Sequence, residues 1–239
     1  MVHKRILDRL AAIDERHGPL PILLLGLTVL TGMVDAVSYL RLGHVFVANM
    51  TGNVVFLGFA AAGVKDFSVP SSLLAIAAFL VGAYFGGLLG RRGGRHRGHL
   101  FWIAMVIETL LVAVALILSV IDLGTVQGLL QDALIVLLGL MMGLQNAVVR
   151  RLAVPDLTTT VLTLTLTGLA ADTTSPTGGN RLRRIASVAC MFAGAALGGV
   201  LVLQVDVTAV LLAALVLLAV IAMIAFHGRI SDQAWATAK

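Results

Sequence analysis

Residues 45–63 read VFVANMTGNVVFLGFAAAG. Its apolar content suits a bilayer helix, which needs about 20 such residues. Asn49, Thr51, Gly52 and Asn53 interrupt it at what would be membrane depth. Irregular backbone survives there only against protein or a wet cavity. Glycine permits an unwound turn, and amides exposed by it can hold a polar ligand. The stretch therefore poses the choice on which the fold turns: a plain spanning helix, or a broken element that enters and leaves on one side.

The rest of the chain supplies the setting. Of 239 residues, 59% are apolar and 12% charged, and mean hydropathy is +1.01. An ordinary soluble domain carries about 25% charged residues. Twelve acids and seventeen bases cannot clothe a soluble fold of this size. This excludes a cytosolic enzyme, a nucleic-acid-binding domain and a disordered chain. Long continuous apolar runs, rather than alternating ones, argue against a spanning barrel. What remains is an all-α polytopic membrane protein. Its single cysteine, Cys190, precludes an internal disulfide.

Eight apolar segments are expected, roughly 21–42, 45–63, 71–90, 99–121, 129–149, 157–171, 185–204 and 208–226. Bases precede the first (Lys4, Arg5, Arg9, Arg16), follow the third (Arg91, Arg92, Arg95, Arg97), end the fifth (Arg150, Arg151) and precede the seventh (Arg181, Arg183, Arg184). Eight crossings would place the Arg91–Arg97 cluster outside, against the positive-inside rule. Six crossings, with segments two and six re-entrant, place every strong basic cluster and both termini inside. Arg41 and Lys65 are then the exceptions outside. Residues 1–20 carry an amphipathic surface helix over 3–16, with no cleavable signal peptide. Residues 21–121 and 129–226 form two membrane repeats, and 227–239 form a cytoplasmic tail.

The two repeats are themselves legible. Gly32-Met33-Val34-Asp35-Ala36-Val37 finds its counterpart in Gly143-Leu144-Gln145-Asn146-Ala147-Val148. The Phe79–Gly87 run finds its own in Met191–Gly199 at almost the same interval, and Met50-Thr51-Gly52 resembles Leu166-Thr167-Gly168. Three crossings plus one broken segment per half would invert the second half relative to the first, as in many transporters.

Candidate ligand groups fall in and beside the broken segments. Asn49, Thr51, Gly52 and Asn53 belong to the first; Thr163 and Thr167 belong to the second, where Thr160, Thr163 and Thr167 would share a helical face. The alternation of Thr163, Thr165 and Thr167 equally suits an extended segment. Asp35 holds a carboxylate within the first span, and Gln145 and Asn146 occupy its repeat position. A charge at the bilayer centre costs at least ~2.5 kcal/mol, so Asp35 should face the bundle or water. It is a proton or cation handle, or else a brace for a broken helix. Glu108, in the fourth span, is a second coupling candidate, or else it bonds a neighbouring helix. The Asn and Thr groups, too, could simply bond between helices. Gly82, Gly86 and Gly90, with Gly194 and Gly198, form small-residue ladders suited to contact between the halves; a homodimer face is their other use. No metal-ligand spacing, P-loop, dinucleotide fingerprint or nucleophile elbow occurs, so no metal site, cofactor or enzymatic activity is expected.

Asp35-Ala36-Val37-Ser38-Tyr39-Leu40, followed by His44-Val45-Phe46-Val47-Ala48-Asn49-Met50-Thr51-Gly52-Asn53, resembles the signature of the bacterial YoaK family (domain of unknown function 1275). Gly143–Ala147 and Thr158–Asp172 resemble its second signature, although the Thr-Gly step here follows the Gln-Asn pair at greater distance. The resemblance implies a small bacterial inner-membrane protein and assigns no activity. The expectation from the residues is a transporter for a small polar solute, coupled to H+ or another cation through Asp35 or Glu108. A channel of the same architecture and a non-transporting membrane protein (intramembrane enzyme or scaffold) are the alternatives. The expected surroundings are the lipid bilayer and the solute or ion, with no nucleic acid.

Overall fold

The computed structural model describes residues 17–92, 96–121, 126–171, 178–229 and 235–236. The amphipathic helix expected over 3–16 lies outside them. Six described helices are long and apolar enough to span a bilayer: α1 (Leu20–Arg41), α3 (Val69–Arg92), α4 (Arg97–Ile121), α5 (Leu129–Leu152), α7 (Gly178–Gln204) and α8 (Val207–Gly228). Two are too short: α2 (Met50–Ala61) and α6 (Leu162–Ala171). At 1.5 Å per residue, α2 extends only about 18 Å. The interrupted segments are thus short helices preceded by irregular chain, as the polar residues and Pro155 foretold.

The interior is built on α1 and α5, the most enclosed of the spans. Thr28 and Thr31 are fully buried in α1 and satisfy their hydroxyls on the carbonyls of Leu24 and Leu27, one turn back (both 2.9 Å). On α4, Phe101, Ala104, Met105, Glu108, Val112, Ala115 and Ser119 form the buried stripe, at the three-and-four spacing of one helical face. Leu80, Tyr84, Phe192 and Leu203 on α3 and α7 are exposed, as lipid-facing side chains should be.

Packing is reciprocal between the halves. Helix α1 packs against α7, and α5 packs against α3. A Cβ at Gly194 would strike the backbone of Val29, and one at Gly82 the backbone of Leu140. Gly198 likewise meets Met33, and Gly86 meets Leu144. The ladders therefore serve contact between the halves, and only glycine allows these backbones to touch.

Arg97 gathers one end of the bundle. Its side chain donates to the carbonyls of Leu152 (2.6 Å) and Trp235 (3.3 Å) and meets His17 Nδ1 (3.1 Å). Its backbone N–H donates to Ala236 (2.7 Å). The start of α1, the end of α5 and described residues near the C-terminus thus share an end. Arg41, closing α1, donates to Val202 near the end of α7 (3.3 Å), at the other end.

Candidate functional site

Each half docks its irregular chain onto its own first helix, the same distance in from the end at which that chain enters. After α1, residues 42–49 run inward, and the Ala48 amide donates to Asp35 Oδ1 (3.1 Å). After α5, residues 153–161 do the same, and Thr160 Oγ1 donates to Asn146 Oδ1 (2.6 Å). Asp35 and Asn146 each stand well inside the end of their helix, about 9 Å in along the axis. Helices α2 and α6 then lead back outward. Because α1 and α5 end at opposite ends of the bundle, the two hairpins enter from opposite ends.

The entry loops bend through left-handed backbone at non-glycine residues: His44 (φ 57°) in the first, and Ala153 (φ 49°), Asp156 (φ 64°) and Thr159 (φ 60°) in the second. Such conformations are uncommon for side-chain-bearing residues and cluster where the surroundings enforce them. His44 and Asp156 each lie six residues before the start of the short helix that follows.

The first hairpin is held by its own backbone. Asn53 is fully buried; its side chain accepts from the Phe46 N–H (2.8 Å) and donates to the Phe46 carbonyl. Asn49 caps α2 by accepting from the Gly52 N–H (3.4 Å). Thr51 is exposed. Tyr39, Phe46, Phe56 and Phe67 stack in succession, with ring centroids 5.2, 5.6 and 4.6 Å apart.

The second hairpin is held by side chains. Gln145, fully buried, donates to Thr31 of α1 and Thr159 of the loop (3.2 Å each), tying the two halves together at the centre. Asp156 pairs with Arg184 of α7 at 2.8 Å. Thr163 and Thr167 are exposed on α6, whereas Thr165 is buried and bonds back to Val161. The helical face expected through Thr160, Thr163 and Thr167 does not form, because helix begins only at Leu162. The helix starts also set Thr51 opposite Thr163, one turn before the Leu166-Thr167-Gly168 that resembled its surroundings.

Of the expected ligand groups, the structure brings Gln145 and Asn146 together with Thr31, Thr159 and Thr160. Asp35 and Asn53 belong to the other hairpin, and Asn53 is committed to backbone. Glu108 stands apart on α4, fully buried. Among the described residues neither Glu108 carboxyl oxygen has a hydrogen-bond partner, nor does Gln145 Oε1. Thr31, Asp156 and Arg184 carried no sequence signal for this place, whereas Thr159 and Thr160 belong to the threonine run before α6.

A family profile described as "Protein of unknown function (DUF1275)" matches residues 23–224. The chain is 34% identical over 151 residues to the "UPF0700 transmembrane protein YoaK" of Bacillus subtilis (strain 168), covering 62% of this chain. The chain spans 65% of that relative's length. No solved structure matches.

Proposed function

The chain belongs to the DUF1275 family and is a multi-pass membrane protein, and from this premise we propose that it is a carrier for a small polar solute, built as two inverted repeats. The observation that carries this reading is the matched docking of two discontinuous hairpins, from opposite ends, onto Asp35 and Asn146. Helices broken in corresponding places of two halves are the usual mark of a transporter's binding region. The basic side chains Arg91, Arg150, Arg151, Arg183 and Arg184 sit with Arg97 and the described termini at one end, so that end faces the cytoplasm of a bacterial cell.

In this reading Asp35, Asn49 and Thr51 present the solute's polar groups with partners from one side, and Asn146, Thr160 and the open acceptor of Gln145 do so from the other. The bond from Gln145 to Thr31 closes the centre between them. A closed centre suits alternating access, in which the halves rock, better than a channel's continuous path. Glu108 supports cation coupling: a buried acceptor without a donor costs about 1–3 kcal/mol, more when charged, and a bound proton or cation relieves that cost. A carrier of this kind performs no covalent chemistry.

The test is a thermal-shift screen of the purified full-length protein against polar metabolites and ions, followed by uptake of each hit into proteoliposomes. A substrate raises the melting temperature by mass action. It shows counterflow, and its effect weakens in Asp35→Asn and in Asn146→Ala. Uptake that shows no counterflow and instead follows single-channel currents points to a channel. A shift indifferent to both substitutions places the binding region elsewhere.

A further inference from the structure

A cavity of about 450 Å3 opens at the end opposite Arg97, where the last turns of α1 and α4 meet the start of α5 and the corner between α7 and α8. Its polar lining is Arg41, Ser119, Gln127, Gln131, Asp206 and Thr208. None of these belongs to the hairpin contacts described above. Ser119 and Thr208 satisfy each other (2.6 Å) and seal α4 to α8. Arg41 is steadied by one bond to the Val202 carbonyl, which leaves most of its donor fork unused. Asp206 accepts from the Ala209 N–H through Oδ1 (2.8 Å), which leaves Oδ2. Gln131 stands beside Gly43 at the start of the first hairpin, where a Cβ would meet its Nε2 at 2.8 Å. Among the described residues neither Arg41 nor Asp206 has an ion-pair partner, although both line one cavity.

The volume lies within the roughly 300–1,000 Å3 usual for small-molecule sites. A bare anion would match Arg41 and leave Asp206 opposed; a bare cation would do the reverse. We propose that this cavity binds a small zwitterion, an amino carboxylate whose carboxylate meets Arg41 and whose ammonium meets Asp206, with the amides of Gln127 and Gln131 between. The proposal stands without the carrier reading, since it concerns a separate set of residues.

The experiment uses full-length protein in detergent, with melting temperature and calorimetric binding as readouts. The probes are alanine, β-alanine and γ-aminobutyrate, beside propionate and propylamine, which carry one charge each. At least one zwitterion raises the melting temperature in proportion to occupancy, and the singly charged compounds do not. Arg41→Gln and Asp206→Asn each weaken that binding about tenfold or more, the usual worth of a charged hydrogen bond. Asn still caps a helix, so Asp206→Asn keeps the fold; if Arg41→Gln does not fold, Asp206→Asn alone decides. Asp35→Asn leaves the binding unchanged. Silence from all three zwitterions, equal binding of propionate or propylamine, or binding that survives Asp206→Asn overturns the proposal. Binding lost in Asp35→Asn but kept in Arg41→Gln and Asp206→Asn also overturns it, and assigns the zwitterion to the hairpins.

Discussion

The two hairpins occupy equivalent places and are held by opposite means. The first uses a buried amide that reads its own backbone, Asn53 on Phe46, together with a stack of four rings. The second uses side chains that reach other elements: Thr160 to Asn146, Thr159 to Gln145, and Asp156 to Arg184. A hairpin that satisfies itself is stiff as a unit. A hairpin held through several separate side-chain bonds to other elements, each worth about 1 kcal/mol net, can exchange them singly. Equivalent topology thus need not mean equivalent mobility, and the second hairpin is the one suited to move.

The sharpest way to break this contrast is Asn53→Ala. It strands the N–H and carbonyl of Phe46 in a buried loop, at about 1–3 kcal/mol each. We expect a loss of about 3 kcal/mol or more, read as a lower midpoint of unfolding in mixed micelles. Asn146→Ala, which removes one bond from the second loop and one to its own helix, should cost about half as much. Equal losses would mean that the hairpins are equally self-contained.

Glycines in the short helices sharpen the comparison. A Cβ at Gly52 would lie 2.7 Å from the Phe46 ring, which is fixed in the stack. A Cβ at Gly168 would meet the guanidinium of Arg184 at the same distance, but that is the far end of a flexible chain. Gly52→Ala should therefore cost about 1–3 kcal/mol by overpacking, and Gly168→Ala much less, judged by melting temperature. The reverse order would show that the ring stack yields more easily than the arginine.

The ion pair comes next. Arg184→Gln removes the partner of Asp156, whose side chain is 16% exposed. About 1 kcal/mol is expected, falling as salt is raised. Hydrogen exchange in residues 153–161 should rise while that in residues 44–49 stays unchanged. Faster exchange in both loops would show that the hairpins loosen together, against a difference in their mobility.

Much of this was written in the chain. Six spans and two interrupted segments follow from apolar length, from Asn49–Asn53, and from Pro155 with the threonines after it. The small-residue ladders through Gly82 and Gly86 and through Gly194 and Gly198 were legible too, because glycine is demanded wherever backbones touch. What sequence could not yield was direction. Asn53 looks the same whether its amide meets a solute or the Phe46 carbonyl of its own loop. Helical phase could not be counted through Thr158–Val161, because that stretch is not helix. Arg184 and Asp156 are adjacent only because α7 returns past the loop.

That lost phase supplies the finest test. Thr165 is buried and bonded to Val161, whereas Thr163 and Thr167 stand exposed on the outer face of α6. Replacing Thr by Val keeps the shape and removes only the hydroxyl. At Thr163 and Thr167 this should change stability by less than about 0.5 kcal/mol, the usual range for surface sites. At Thr165 the loss should be about 1 kcal/mol, one net hydrogen bond. The same three variants carry functional information once a solute is known. If α6 serves as the outer wall of the second hairpin, Thr163→Val and Thr167→Val leave solute binding intact, and Thr160→Val weakens it. Should Thr163→Val or Thr167→Val abolish binding while the protein melts normally, those hydroxyls reach the solute in a second conformation. Movement of the second hairpin would then include a rotation of α6 about its own axis.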